Sequence, residues 1–324
     1  MSIKDFGWDE YFEREWNQRY TDNIPLGPVV SYTQGLTMQP GRIIADYGQM
    51  IRVTTDTEEL LVSRPVKKLD KDIQLSVGDW VALEHTVESI CVRDVLTRKT
   101  KFSRAAAGPE VKEQIVAANI DTVFLIQSLN RDFNMKRLER YLIATWESGA
   151  IPVIVLTKTD CCDDVDKKID DVYRTAPGVK VHAISCVTGE GIEEIRKYFV
   201  QGKTVALLGS SGVGKSTLLN TLAGEELLKT QTVREDDSRG RHTTTHRELL
   251  LLKTGGLVLD TPGMRALSLW EADAGMEIMF GGAPRKRLRY SRWKSCAERV
   301  SRPPLSIPWN RKGDLRFKRR TESW

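Results

Sequence analysis

The sequence predicts an α/β fold preceded by a small all-β barrel, because the apolar pattern changes along the chain. Residues 36–105 alternate short apolar strands with Gly, Asp and charged turns, which is typical of a barrel. From about residue 110 to 270, apolar runs alternate with helical stretches, which indicates a mostly parallel sheet. We therefore divide the chain into an N-terminal extension (1–35), a barrel (36–105), an α/β domain (106–280) and a basic tail (281–324).

The N-terminal extension carries one helical signal. Trp8, Phe12 and Trp16 recur at every fourth position, which places them on one face of a short helix. We expect this aromatic face to pack against the neighbouring domain.

Five short strands are predicted in the barrel, a number that suits an OB-fold. They are Gly41–Ala45, Met50–Thr54, Glu59–Val62, Trp80–Glu84 and Ser89–Val95. An OB-fold often binds RNA, but many small barrels do not, so this feature alone does not establish a function.

The α/β domain is predicted from five apolar runs and three helical segments. The runs are Thr122–Gln127, Ile151–Leu156, Val181–Ile184, Val205–Leu208 and Leu257–Leu259, and the helices are Met135–Ser148, Gly191–Phe199 and Ser216–Leu222. Ligands of such sheets bind at the carboxyl ends of the strands, and each motif described below directly follows one of these runs.

Composition indicates a globular protein of a reducing compartment. Hydrophobic residues make up 40% of the chain, and no run approaches the ~20 apolar residues of a membrane span. The N-terminus lacks the basic start and apolar centre of a signal peptide, and the five cysteines suggest no disulfide framework. We expect a cytoplasmic monomer without a membrane partner.

The segment that begins at Gly209 matches the phosphate-binding pattern G-x-x-x-x-G-K-[ST]. A predicted strand leads in and a predicted helix leads out, as phosphate binding by loop N–H groups and a helix N-terminus requires. We expect Lys215 to reach the β- and γ-phosphates and Ser216 to ligate Mg²⁺. The predicted nucleotide-binding residues of the loop are Gly209, Ser210, Ser211, Gly212, Val213, Gly214, Lys215, Ser216 and Thr217.

A second motif predicts that the bound base is guanine. Thr157-Lys158-Thr159-Asp160 follows an apolar strand, and a carboxylate at Asp160 can accept both N1–H and the exocyclic amino group of guanine. Adenine would leave this carboxylate badly paired. Ser185-Cys186 follows the next strand, where small residues let a backbone N–H approach guanine O6. We expect Cys186 to be a small packing residue and not a reactive thiol.

Two further segments predict the γ-phosphate and magnesium contacts. Asp260 directly follows a strand and is expected to serve Mg²⁺, while the N–H of Gly263 can sense the γ-phosphate. In the polar stretch that begins near Thr230, Thr244 is the expected switch threonine, with Thr243 and Thr245 as near rivals.

The group that activates water is left open by the sequence. Many GTPases carry a Gln directly after the glycine at the Gly263 position, but this chain has Met264, which cannot orient water. We therefore expect slow intrinsic hydrolysis. His242 is one candidate for this group, and a group supplied by a partner is the other. The alternative for His242 itself is an exposed loop histidine without a catalytic role.

The motif order resembles that of one family. The guanine motifs precede the phosphate motifs, the reverse of ordinary GTPases, as a circular permutation would produce. With the preceding barrel, residues 37–280 closely resemble the ribosome small-subunit-dependent GTPase A family. The matching motifs are Val77-Gly-Asp-Trp-Val81, Arg104-Ala-Ala-Ala-Gly108, Ala118-Asn-Ile-Asp121, Asp132-Phe-Asn134 and Arg241-His-Thr-Thr-Thr245.

This resemblance implies an OB-fold barrel followed by a circularly permuted P-loop GTPase domain. It further implies binding to the small ribosomal subunit and its rRNA late in assembly, GTP hydrolysis stimulated by the subunit, and release of maturation factors. By position, the resemblance implies that GTP is bound by residues 209–217 and 157–160. It also implies that Mg²⁺ is held by Thr244 and Asp260.

The tail departs from the family pattern. Residues 281–324 hold 14 Lys or Arg against 3 Asp or Glu, whereas the rest of the chain is net acidic. Family members end in a helical region with a zinc site of three Cys and one His, but Cys296 is the only cysteine after Cys186 and no His follows His246. We expect no zinc site here. An altered reading frame or degenerate end is the first explanation, and a basic RNA-binding tail is the rival.

Three other functions stay open from the sequence. They are a P-loop ATPase, a non-catalytic RNA-binding protein regulated by nucleotide, and an inactive truncated family member. Nucleotide competition separates the first from a GTPase, and salt-dependent RNA binding without turnover would favour the second.

Overall fold

The computed structural model describes residues 2–20, 30–32, 36–64, 74–87, 89–105, 113–130, 132–225 and 247–260. Several predicted features therefore lie outside the described residues, namely His242, Thr244, Gly263, Met264 and the basic tail. None of the helices in the described ranges is long and apolar enough to cross a membrane.

The barrel is built from antiparallel strands, as predicted. They are β1 (Val30–Tyr32), β2 (Leu36–Asp46), β3 (Met50–Thr54), β4 (Glu59–Ser63), β5 (Trp80–His85) and β6 (Ile90–Val95). The long β2 pairs with both β3 and β5, and β6 pairs with β5. Because β4 also lies against β6, the strands curl towards closure, which leaves less exposed strand edge.

The aromatic N-terminal segment packs on this barrel, which confirms the expectation from its spacing. Helix α1 spans Glu10–Tyr20, so Phe12 and Trp16 lie on it while Trp8 precedes it. The Trp8 ring meets the buried Trp80 ring of β5 edge-on, with centroids 4.9 Å apart. Phe12 and Trp16 are buried in the same apolar cluster. These contacts stabilise the extension by removing aromatic area from water.

A parallel sheet forms the α/β part of the chain. Its strands are β9 (Thr122–Ser128), β10 (Ile151–Thr157), β11 (Lys180–Ile184), β12 (Thr204–Leu208), β13 (Arg247–Leu251) and β14 (Leu257–Asp260). The spatial order is β11-β10-β9-β12-β14-β13, with only the β13 pairing antiparallel among these strands. Side chains alternate along β9, so Val123 and Leu125 join one apolar cluster and Phe124 and Ile126 join the other.

The helices of this part are α2 (Met135–Ser148), α3 (Val165–Thr175), α4 (Ile192–Arg196) and α5 (Lys215–Ala223). Helix α2 has the predicted bounds, and the Asn134 side chain caps it by accepting from the N–H of Arg137. Helix α4 is shorter than predicted. Helix α3 and the hairpin of β7 (Lys101–Ala105) and β8 (Glu113–Ala118) were not predicted.

The barrel and the parallel sheet are continuous through one pairing. Glu248 of β13 lies opposite Ala45 of β2, and Arg52 of β3 forms an ion pair with Glu248 at 3.2 Å. The described strands thus form a 12-stranded sheet plus the separate β7–β8 hairpin. This hairpin spans the predicted boundary at residues 105 and 106, and the division into domains stays a prediction.

Candidate nucleotide-binding site

The loop that is predicted to bind phosphates, here called the phosphate loop, lies between the buried strand β12 and helix α5, in the strand–loop–helix context expected from the sequence. Gly212 and Gly214 have φ values of 78° and 98°, in the left-handed region that favours glycine. Gly209 is required for a different reason, because a Cβ there would lie 2.7 Å from the carbonyl oxygen of Ile126 on β9. The glycines therefore serve both the turn of the loop and its close approach to the next strand.

Lys215 folds back over this loop. Its Nζ donates to the main-chain carbonyls of Gly209 at 2.6 Å and Ser210 at 2.5 Å. Ser216 and Thr217 follow in the first turn of α5, where unpaired N–H groups and the helix dipole favour an anion. A cationic side chain and oriented N–H groups together make a site for phosphates.

The guanine motif is hydrogen-bonded to the phosphate loop. The Thr157 hydroxyl donates to the Val213 carbonyl at 2.6 Å. The Lys158 ammonium donates to the Gly212 carbonyl at 2.9 Å. Segments more than 50 residues apart in sequence therefore form one site, because β9 places β10 and β12 on either side of itself.

The carboxylate of Asp160 is held by the next predicted motif. The Ser185 hydroxyl donates to Asp160 Oδ1 at 2.5 Å and accepts from the N–H groups of Val187 and Thr188 at 3.2 Å each. The hydrogen bond from Ser185, followed by that from the Cys161 thiol, lowers the pKa of Asp160. An ionised, oriented acceptor is the group that the two guanine donors require.

Two smaller residues complete this end of the site. Cys186 is half-buried, and burial is the largest cause that raises the pKa of its thiol, which supports the packing role over a reactive one. Thr159 is buried in a short 3₁₀ turn, Thr159–Cys161, that carries Asp160. Lys158 precedes this turn with a φ of 61°.

The predicted magnesium residues are described only in part. Asp260 is the last residue of β14, which runs parallel to β12, so both strands end at the edge that bears the phosphate loop. The side chain of Asp260 and the whole of Thr244, His242 and Gly263 lie outside the described residues. Within the described ranges, no three His, Cys, Asp or Glu side chains form a metal cluster.

One site neighbour, Asp132, belongs to a motif that the sequence analysis quotes only for the family resemblance, and it was not assigned to the site. Asp132, in the loop after β9, accepts a hydrogen bond from the hydroxyl of Ser210 at 2.5 Å. The available signal was positional, since Asp132 follows the carboxyl end of a strand that lies next to β12.

Comparison with known proteins gives the same assignment. A sequence model of the RsgA GTPase family matches residues 95–270. A Vibrio parahaemolyticus protein called small ribosomal subunit biogenesis GTPase RsgA 2 is 38% identical over 278 residues, which cover 86% of this chain and 72% of the relative. A Listeria monocytogenes protein of the same name is 42% identical over 283 residues, which cover 86% of this chain and 75% of that relative.

Solved structures support the fold. The crystal structure of YjeQ from Thermotoga maritima has a TM-score of 0.54 at 23% identity, covering 82% of this chain and all of that one. The structure of YloQ, a circularly permuted GTPase, has a TM-score of 0.50 at 20% identity, and the match covers 83% of this chain and 97% of that one. The barrel, the permuted motif order, the assembled guanine and phosphate motifs and the close relatives agree, and the chain belongs to the RsgA GTPase family.

Proposed function

We propose that this chain hydrolyses GTP to GDP and phosphate during maturation of the small ribosomal subunit. The observation that carries the proposal is the pair of hydrogen bonds from Thr157 and Lys158 to the phosphate loop. A site built this way couples recognition of the base to the position of the phosphates. Asp160, fixed by Ser185, supplies the preference for guanine over adenine.

Phosphoryl transfer in such a site depends on positioning and charge stabilisation. Lys215 and the N–H groups of the loop stabilise the charge on the phosphate oxygens. Ser216, Thr244 and Asp260 are the proposed oxygen ligands of Mg²⁺, a donor set that suits a hard cation. When bound, Mg²⁺ neutralises charge on the β- and γ-phosphates.

The γ-phosphate end of the site rests on residues outside the described ranges. We propose that the Gly263 N–H binds the γ-phosphate and that His242 positions the attacking water. Since Met264 cannot orient water, hydrolysis by the free protein should be slow, and a partner must complete or order the site.

The proposed partner is the small ribosomal subunit. The curated relatives are named for biogenesis of that subunit. We propose that the barrel binds its rRNA, that the subunit stimulates hydrolysis, and that the turnover releases maturation factors. The protein then acts in the cytoplasm as a monomer, with residues 36–105 as the barrel and 106–280 as the GTPase domain.

The test is GTP hydrolysis by the full chain with and without purified small subunits. The Lys215→Ala variant removes the phosphate-binding ammonium, and Lys197→Ala is the matched control because Lys197 is an exposed lysine paired with Glu194. We expect stimulation by the subunit in the wild type and the control, and its loss in Lys215→Ala.

Two results would contradict the proposal. ATP hydrolysis that GTP does not outcompete would indicate a P-loop ATPase. GTP binding and salt-dependent RNA binding without turnover, even with subunits, would favour the non-catalytic function or an inactive product.

A further inference from the structure

The loop between β9 and α2 lies directly against the phosphate-binding loop. Its central contact is between the carboxylate of Asp132 and the Ser210 hydroxyl, at 2.5 Å. Ser210 is the second residue of the phosphate loop and is half-buried. A hydrogen bond to a carboxylate is stronger than one between neutral groups, so this contact constrains the position of Ser210.

The Asp132 carboxylate is in turn positioned by Arg137. Arg137, nearly buried on the first turns of α2, donates to the Asp132 carboxylate at 2.9 Å and also to its main-chain carbonyl. The same guanidinium approaches Oε1 of the buried Gln127 at 3.4 Å. The ion pair fixes the carboxylate and compensates its charge, which would otherwise repel the phosphates of GTP.

Ser210 is held on its other side by the phosphate-binding lysine. Lys215 donates to the Ser210 carbonyl at 2.5 Å, while the hydroxyl of the same residue donates to Asp132. The contacts form a continuous series from Arg137 through Asp132 and Ser210 to Lys215. Each member is positioned by the one before it.

We propose that Asp132 is a positioning residue for GTP hydrolysis, acting through the Ser210 hydroxyl on the phosphate loop and Lys215. Asp132 keeps the Ser210 hydroxyl turned towards the β9–α2 loop, so the peptide groups around Ser210 hold one orientation. The N–H groups of the loop and the Lys215 ammonium then meet the phosphates without rearrangement, which is the main source of catalysis in such sites. The inference rests on the GTPase activity proposed above.

The test compares Ser210→Ala, Asp132→Ala, Asp132→Asn and the Ser210→Ala/Asp132→Ala double variant in single-turnover GTP hydrolysis by the full chain. Each alanine variant should slow hydrolysis about 10-fold, the size expected for loss of one charge-assisted hydrogen bond. The double variant should be no slower than either single variant, because both changes break the same contact. Asp132→Asn should recover part of the rate, since its amide oxygen can still accept from Ser210 although the bond is no longer charge-assisted.

Affinity and folding provide the controls. A positioning role should change the rate far more than the dissociation constant of GDP, which is measured in parallel. Asp170→Ala, an exposed carboxylate on α3, should leave both unchanged. Circular dichroism melting identifies any variant whose slow hydrolysis reflects unfolding.

The outcomes separate this inference from the proposed function. A wild-type chain that does not hydrolyse GTP, alone or with subunits, would overturn the function itself. If the wild type hydrolyses GTP and the alanine variants are equally fast, Asp132 has no positioning role. The same follows if the effects of the two single variants multiply in the double variant. Either result would leave the GTPase assignment standing.

Discussion

Replacing Arg42 by Met should strongly destabilise the protein, because this buried side chain joins three segments of the chain. Only 2% of Arg42 is exposed. Its guanidinium donates to the carbonyl of Phe6, to those of Gly78 at 3.3 Å and Asn119 at 3.0 Å, and to the Thr204 hydroxyl at 3.0 Å. It thereby links the extension, the barrel and the first residue of the strand that leads into the phosphate loop.

The magnitude follows from two opposing contributions. Four hydrogen bonds from a charged donor, at ~1.5–3 kcal/mol each, give a gross stabilisation of ~6–12 kcal/mol if they were additive. Against this, burial lowers the pKa of Arg42 to about 10, which corresponds to a cost of roughly 3 kcal/mol for keeping the guanidinium charged. Since one group shares all four bonds, we expect a net loss of ~3–5 kcal/mol in the free energy of unfolding.

Urea denaturation followed by circular dichroism is the appropriate assay, with Arg174→Met as the control. The Arg174 side chain is 76% exposed and its loss should cost less than ~0.5 kcal/mol. The destabilisation by Arg42→Met should not vary between pH 6 and 8, because a lowered pKa of about 10 leaves the group charged throughout that range. Equal midpoints for the two variants would refute the reasoning.

Three further predictions concern the nucleotide site. Gly209→Ala should abolish GTP binding in equilibrium titration, because its Cβ would lie 2.7 Å from a backbone oxygen. Gly212→Ala has open space for its Cβ and bears only the strain of an alanine at a φ of 78°, about 1–2 kcal/mol, so it should weaken binding less; equal effects would contradict this. In Ser185→Ala, the pKa of Asp160 should rise towards its ordinary value. On acidification, this variant should therefore lose GTP affinity at a higher pH than the wild type does. An unchanged pH profile would show that the hydrogen bond from Ser185 does not control the ionisation of Asp160. Asp160→Asn should weaken GTP but bind xanthosine triphosphate better, because the Asn amide offers a donor to the 2-oxo group of xanthine; a competition assay that still favours GTP would argue against the assigned contact.

Local sequence predicted the regular elements best where their patterns were strong. Helix α2 combines an Asn134 cap with an apolar face and was predicted with the observed bounds. Helix α3 was missed although Val165, Ile169 and Val172 recur at helical spacing; of these three, only Val172 is fully buried. Strand β13 was missed because its apolar run is short and follows a long polar stretch.

The sequence alone was enough to predict which residues bind the nucleotide and the order in which their motifs occur. The phosphate loop and the guanine motif are local strings whose residue types meet fixed requirements, such as backbone turns at glycine or a carboxylate acceptor at Asp160. The permuted order and the barrel are equally visible without coordinates.

Tertiary structure alone decided which distant groups touch. Three hydrogen bonds join segments that only the order of the strands brings together. They run from Thr157 to Val213, from Ser210 to Asp132 and from Arg42 to Thr204. Periodicity shows that a strand is buried but not which strand lies beside it, because every buried apolar run satisfies the same burial requirement. The pairing of β13 with β2, which makes the barrel and the GTPase sheet continuous, depends on that neighbour choice and could not be predicted from the chain.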